Sequence, residues 1–355
     1  MRFAYMPDTH FGVYGQTSPT PQEAADSFAQ LLREAQLAEE MGFDAVFIPE
    51  RHARGETFVP STLTLAAAIA AKTSTIQIVT AVMMPTLYNP MHLAEQIAMI
   101  DNLSRGRFIF GAGVGYHEDY HRMFGVPWAN RGRRFDEAME VIVRALSGER
   151  FSFQGEFYSY TDVQLTPQPY QRPRPRIWIG ANAEGKPTDR SLDYDGWILW
   201  AAPEWDRTAE RVLDLRTRAA QRGNSNWSFV LNQDGWIGDD PAEMRARHSP
   251  RWLRESEFYV EHKTAGAVHA SGDIRQADGA ERTLRDFESR RMHFGTPESW
   301  TQRILAIQHA LGPEYLNFRL RTPISELNPV RPSFDEYLEC IRRFGEEVLP
   351  EVRSL

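Results

Sequence analysis

Glu50-Arg51-His52 sets an acid, a permanent cation and an imidazole on three successive positions, after the strand-like run Asp44–Ile48 and Pro49. Those residue types at a strand end can exchange a proton with a bound molecule or hold an anion against it. A second group, His117-Glu118-Asp119-Tyr120-His121, matches the pattern in which two histidines on one helical face hold zinc while the glutamate acts as base. Its setting argues against that chemistry. The motif needs a preceding helix, whereas here a strand and Gly111-Ala112-Gly113-Val114-Gly115 come first, and no third ligand stands at a recognisable spacing. A zinc hydrolase is the weaker reading, and no metal is expected. The same glycines imitate a dinucleotide fingerprint, but the third comes one position early and Tyr116 stands in its place, so a Rossmann turn is set aside. Arg319 and Arg321 complete the set. Alternation puts them on one face with Tyr315 and Asn317, opposite Leu316, Phe318 and Leu320. The apolar face suits a helix layer, so the arginines should point to the enclosed side or its mouth. A buried guanidinium there needs an anion, and a carboxylate such as Glu50 is the expected partner of Arg319.

The elements that must position these groups follow from periodicity. Thr75–Met84 is β-branched and apolar for longer than a half-exposed strand would be, which suits burial on both faces. Leu93, Ile97, Ile100 and Leu103 then recur at helical spacing up to the stop at Gly106, and Arg107–Phe110 is the next strand. A strand, helix, strand unit of this length implies parallel pairing, with ligand sites at the carboxyl ends of the strands. The rest of the chain keeps the rhythm. Arg2–Met6 is the first strand, and the loop Pro7–Ser18, with His10, Phe11 and Tyr14, should lie over the strand ends. Thr20-Pro21-Gln22-Glu23 is a capping box opening a helix whose buried face is Phe28, Leu31, Leu32, Ala35 and Ala38. Ser61–Thr73 is apolar almost all round and must be covered on both sides, either by its own neighbours or by a second subunit. Arg131–Leu146 is a further helix, Phe151–Pro175 a hairpin and a proline-rich connection. Strands five to seven are Ile177–Gly180, Trp197–Trp200 and Trp227–Trp236, with a helix burying Trp205, Ala209, Val212 and Leu213 between the last two. Tyr315–Arg321 is the eighth strand, and Ser333 with Glu336 caps the closing helix. Only Gly238–Arg291 breaks the pattern, as an insertion after strand seven that is either a surface loop or a lid.

Bulk properties narrow the function. A net charge of −8 over 355 residues argues against a nucleic-acid footprint, which needs clustered basic residues. Cys340 is the only cysteine, and neither a signal peptide nor an apolar run long enough to span a bilayer is present, so a cytoplasmic protein without membrane contact is expected. The length allows two average domains, but one barrel with an insertion fits it as well. A single domain over 1–355 is the reading adopted.

Together these segments resemble the bacterial-luciferase-like flavin monooxygenases. The resemblance covers nearly the whole chain and rests on Gly42–Phe47 followed by Glu50-Arg51-His52, on Asn89-Pro90 opening a helix, and on Leu103–Phe108 leading into Gly111–Tyr116. It continues through Gln171–Gly180, Asp195-Gly196-Trp197 and Gly295-Thr296-Pro297-Glu298. It implies an α/β fold, the (β/α)8 TIM barrel, carrying its insertion, about 238–291, between strand seven and the following helix. It also implies reduced FMN delivered by a separate reductase, a small-molecule substrate, and a homodimer. A deazaflavin-dependent oxidoreductase on the same fold is the alternative, and a flavin-binding protein without turnover a third reading.

The resemblance assigns residues as well. Thr80-Ala81 or its neighbour should form a backbone bulge, often a non-proline cis bond, beneath the flavin ring. Met83, Met84, Trp197, Trp200 and Trp236 could wall that pocket. Gly113, Tyr116 and His117 lie in the loop after strand four, near the flavin tail. Flavin phosphate needs backbone N–H groups, hydroxyls or a cation at a helix start, and Gly180–Thr188, with Gly180, Asn182, Ala183 and Gly185, supplies them after strand five. Glu184 is an awkward anion there, and the arginine that relatives carry after strand four falls at Val114. Glu50, Arg51 and His52 are the catalytic candidates, with Arg51 where many relatives have histidine. His10, Met83, Trp236, Arg291 and Arg319 are assigned to the substrate side or the lid.

Overall fold

The computed structural model describes residues 1–11, 18–52, 54–202, 204–248, 292–320 and 332–355. Eleven strands occur among them: β1 Arg2–Tyr5, β2 Ala45–Ile48, β3 Gln77–Thr80, β4 Phe108–Ala112, β5 Phe151–Gln154, β6 Ser159–Val163, β7 Arg176–Gly180, β8 Gly196–Leu199, β9 Ser228–Ile237, β10 Met292–Gly295 and β11 Tyr315–Leu320. Eight of them pair in parallel in the cyclic order β1-β2-β3-β4-β7-β8-β9-β11, with β11 returning to β1. The sheet therefore closes on itself as the expected (β/α)8 barrel, and β5 and β6 stand apart as the expected hairpin.

Closure sorts the side chains into two cores. Ala4, Met6, Ala45, Phe47, Val79, Ile109, Trp178, Ile198, Val230 and Tyr315 fill the interior, as barrels require. The opposite faces of the same strands, for example Phe3, Val46, Ile78, Phe110, Ile177 and Phe318, pack under the helices. Small residues inside, such as Ala4 and Ala45, make room for the indole of Trp178, which stands edge-on to Tyr315 at 4.8 Å between ring centres.

The helices start where capping chemistry places them. Both expected capping boxes form, Thr20 with Glu23 and Ser333 with Glu336. Three expected core residues do not hold. Phe28 lies at the margin with its ring edge against Phe58, while Leu103 and Leu213 are more than half exposed. In each helix the buried stripe runs through neighbouring positions: Leu31, Ala35 and Ala38; Leu93, Ile97 and Ile100; Val212, Leu215 and Ala219. The helix Thr62–Lys72 buries Leu63, Leu65, Ala66, Ile69 and Ala70 against its own chain and leaves Thr64 and Ala71 exposed.

The region after strand seven is more regular than its composition suggests. Residues 241–248 are helical, and Asp240 Oδ1 accepts the N–H groups of Ala242 and Glu243. Strand β10 adds in parallel to the far half of β9, from Asp234 to Ile237, beyond the last residue that β8 pairs. Arg291, Arg321 and the greater part of the expected lid lie outside the described residues.

Candidate functional site

At the carboxyl end of β3 the expected strand to Met84 gives way to a bulge. The peptide Ala81–Val82 is cis, one residue beyond Thr80-Ala81, and regular pairing resumes at Met83 opposite Ala112. Thr80 holds this corner: its hydroxyl donates to Gly111 O and accepts the Gly111 N–H, both at 2.8 Å. A Cβ on Gly111 would lie 1.8 Å from Thr80 O, which no relaxation of a side chain relieves. Val82 then projects between β4 and β7, where a Cβ on Gly113 would come within 2.8 Å and one on Gly180 within 2.7 Å of its methyls. The glycines expected to admit a ligand thus first admit Val82. With half-buried Trp200 it forms an apolar floor at the barrel mouth. Met83 and Trp197, expected on this wall, are instead buried with the helix-side core, Trp197 under Arg211 of the following helix.

Beside the floor stands Glu50, fully buried. Its Oε2 accepts the Met84 N–H at 2.7 Å and its Oε1 accepts the Tyr88 hydroxyl. Burial, and then the adjacent carboxylate, push the Tyr88 phenol well above its ordinary range. His52 Nε2 lies 3.3 Å from Glu50 Oε1 but off the line that a hydrogen bond needs. The imidazole is packed edge-on against Phe124 at 4.8 Å and Tyr120 at 5.6 Å. Arg51 is buried and donates to the Tyr116 hydroxyl at 3.2 Å. Glu50, Arg51, His52, Tyr116 and His117 therefore share one aromatic collar. Tyr88, which closes it from below, was not singled out by sequence because nothing in a 38-residue separation links it to Glu50.

The histidines at 117 and 121 each meet groups of their own chain. His117 caps the short helix Glu118–Met123, its Nδ1 accepting the Asp119 N–H, and its ring stacks on Tyr120 at 4.7 Å. His121 faces the Thr86 hydroxyl with Nε2 and the His117 carbonyl with Nδ1, each at 3.2 Å, while Glu118 is exposed. Burial lowers the His121 pKa, and Arg131 and Arg134 add to that. Among the described residues no group of three or more His, Cys, Asp or Glu is arranged to hold a metal.

Inside the mouth Arg319 does point inward, but its carboxylate is Asp234 and not Glu50. The two are register partners on β11 and β9, and the guanidinium lies 3.7 Å from the Trp200 ring centre. Two other assigned residues form a neighbouring cluster. Asp8 bridges His10 Nδ1 and the Tyr337 hydroxyl, each at 3.0 Å, and Tyr337 packs edge-on to Trp236 at 5.4 Å.

After β7, Asn182 Oδ1 accepts the Trp200 N–H at 3.2 Å and ties this turn to the end of β8. Gly185 has φ of +77°, with open space where a Cβ would sit, and the Thr188 hydroxyl donates to Ala183 O at 2.5 Å. Glu184 turns away toward Arg207 at 2.8 Å and Arg211 at 3.5 Å, which removes the objection to an anion here. The start of the helix Arg131–Ser147 adjoins the turn: Asp136 binds Arg190 at 2.6 Å and Lys186 at 3.5 Å. Arg131 and Arg134 stand at that start over aromatic rings, Arg131 at 3.6 Å from Trp128 and Arg134 at 5.0 Å from Tyr158. Their Nε atoms are buried without a hydrogen bond among the described residues. Sequence reasoning missed them, although the signal was present. Arg131-Gly132-Arg133-Arg134 places three cations in a first helical turn, where the dipole disfavours them, and of the three Arg133 pairs with Glu156 at 2.6 Å.

Comparison with known proteins bears on the family and the fold. The chain is 28% identical over 338 residues to the FMNH(2)-dependent dimethylsulfone monooxygenase of Pseudomonas putida, covering 90% of this chain and 87% of the relative. It is 35% identical over 273 residues to the F420-dependent glucose-6-phosphate dehydrogenase of Kineococcus radiotolerans, covering 73% and 78%. The crystal structure of monooxygenase RslO1 from Streptomyces bottropensis superposes with a TM-score of 0.80 over 99% of both chains at 22% identity, which shows the shared fold. The model of the luciferase-like monooxygenase family matches residues 1–314, and the chain belongs to that family.

Proposed function

We propose that this chain is the oxygenating component of a two-component monooxygenase, using dioxygen and reduced FMN from a separate reductase to oxidise a small organic substrate. One observation carries the reading: a single barrel mouth combines an apolar floor, Ala81, Val82 and Trp200, with a buried Glu50–His52 pair under aromatic rings. Full-length likeness to an FMNH(2)-dependent monooxygenase supports it. The unbonded Nε atoms of Arg131 and Arg134 beside the turn after β7 suit a phosphate-bearing cofactor. Reduced FMN, when bound, supplies the two electrons that activate dioxygen.

The protein's own residues would divide the work. Thr80 and Gly111 brace the floor, while Gly113 and Gly180 give Val82 its place. The turn with Asn182, Ala183 and Gly185, helped by Arg131 and Arg134, would hold phosphate; Tyr116 and His117 would flank the cofactor's tail. His52 would hold or deliver the proton, kept from water by Tyr120 and Phe124. Arg51 would orient polar or anionic substrate groups, and His10, Trp236 and Arg319 would shape the substrate side. No described helix is long and apolar enough to cross a membrane. A homodimer would cover Ala67, Ala68 and Ala71 together with Met99 and Leu103, which are 54% and 56% exposed on the adjacent helix.

The second reading, a deazaflavin-dependent oxidoreductase, is favoured by the 35% identity to an F420-dependent dehydrogenase. Titrating the protein with both reduced cofactors, and following dioxygen uptake over a substrate panel with a flavin reductase present, separates the two. Tight FMN binding with substrate-dependent uptake is expected. Preference for the deazaflavin, or dioxygen uptake that no substrate changes, overturns the proposal.

A further inference from the structure

We infer that Tyr88 is a positioning residue that sets the protonation of His52 through Glu50. Both oxygens of the Glu50 carboxylate are gripped by one short segment: Met84 donates its N–H to Oε2 at 2.7 Å, and Tyr88 donates its hydroxyl to Oε1. Oε1 is also the atom that His52 Nε2 approaches to 3.3 Å. One buried oxygen therefore serves two neighbours, a phenol that has taken the hydrogen-bonding line and an imidazole held off that line. The phenol remains a donor because burial beside a carboxylate opposes its ionisation.

The consequence is electrostatic. A carboxylate that accepts a strong hydrogen bond is stabilised as an anion and attracts a nearby cation less. Tyr88 thus draws on the charge that would otherwise favour protonated His52. Tyr88 ends the short helical turn Pro85–Leu87 and Met84 precedes that turn, so one local segment holds the backbone donor and the phenol against the same carboxylate. The titratable groups placed directly against His52 are Glu50 and Tyr120, with Arg51 beside it in the chain and Tyr88, Tyr116 and His117 one contact further off. Of these, Tyr88 and Glu50 alone meet at the oxygen that His52 faces.

The test is an NMR pH titration of the histidine rings in the full chain, with His52 assigned by His52→Gln. Tyr88→Phe keeps the ring and removes the donor, so the His52 pKa should rise by about 0.5 unit. Glu50→Gln removes the charge, so the pKa should fall by about 1 unit. Opposite signs are the signature, since a merely structural tyrosine would move neither in a fixed direction. Should Tyr88→Phe not fold, 3-fluorotyrosine placed at 88 is the stronger donor and should lower the His52 pKa. An unmoved His52, or the same sign in Tyr88→Phe and Glu50→Gln, overturns the inference. Its consequence for turnover rests on the reading of His52 as the proton-handling group. The titration is made without cofactor, so its failure leaves the flavin assignment standing, and a failed flavin assay leaves the titration standing.

Discussion

Replacing Asp234 by asparagine should cost this protein more stability than any surface ion pair could. Arg319 and Asp234 have side chains 0% and 1% exposed, on adjacent barrel strands, with the guanidinium against Trp200. Asparagine keeps the volume and one acceptor but removes the negative charge that faces the buried guanidinium across the two strands. Breaking one side of a buried pair costs about 3–5 kcal/mol, roughly a hundredfold to several thousandfold in the folding equilibrium. Arg33–Glu40, with side chains 40% and 51% exposed, is the control: Arg33→Ala should cost under about 1 kcal/mol. Urea unfolding followed by both tryptophan fluorescence and circular dichroism measures the difference, provided that the two probes coincide. The double change Arg319→Met with Asp234→Leu should recover most of the loss, because it removes the need to bury charge. If Asp234→Asn stays within 1 kcal/mol of the parent, or the double variant is less stable than the single, the account of the pair as a desolvated charge couple is wrong.

His293 gives a pH signature. Burial, and then nearby Arg303, hold its pKa down to about 4, so the unfolded chain takes up a proton that the folded chain refuses. Stability should fall as pH drops from about 6.5 toward 4, by up to ~3 kcal/mol, and level off below; His293→Gln should flatten that limb of the denaturation midpoint against pH. Gly111→Ala would drive a Cβ into the Thr80 carbonyl and should leave little soluble folded protein, whereas Gly180→Ala presses only on the Val82 side chain. The second variant should fold with a loss of about 1–3 kcal/mol and bind FMN more weakly in a fluorescence titration; equal behaviour of the two would contradict the role given to Val82. Arg131→Ala with Arg134→Ala should weaken FMN binding at least tenfold by calorimetry without lowering the melting temperature, since cations at a helix start oppose the dipole by about 0.3–1 kcal/mol each. Lost stability with unchanged FMN affinity would assign those arginines to packing.

Sequence alone determined the features that local physics controls. Period-two and helical patterns located the eight strands and their helices, Thr20 and Ser333 announced their own caps, and alternation along β11 turned Arg319 inward. The corner at Ala81–Val82 was also legible, through the family resemblance. Partner choice was not legible. Arg319 met Asp234, 85 positions away, because register across β9 and β11 decides which carboxylate lies opposite, and no periodicity encodes register between distant strands. Tyr88 reached Glu50 because β2 and β3 are paired neighbours whose ends open side by side, and Val82 filled the space that Gly113 and Gly180 leave open. Phe28, Leu103 and Leu213 were left at the surface for the same reason: a helix's own period names a stripe, but the neighbours that the closed barrel supplies decide how wide a stripe is covered. Barrel closure therefore settled what short-range rules left open, since it brings every strand end to one mouth and fixes which side chains must share it.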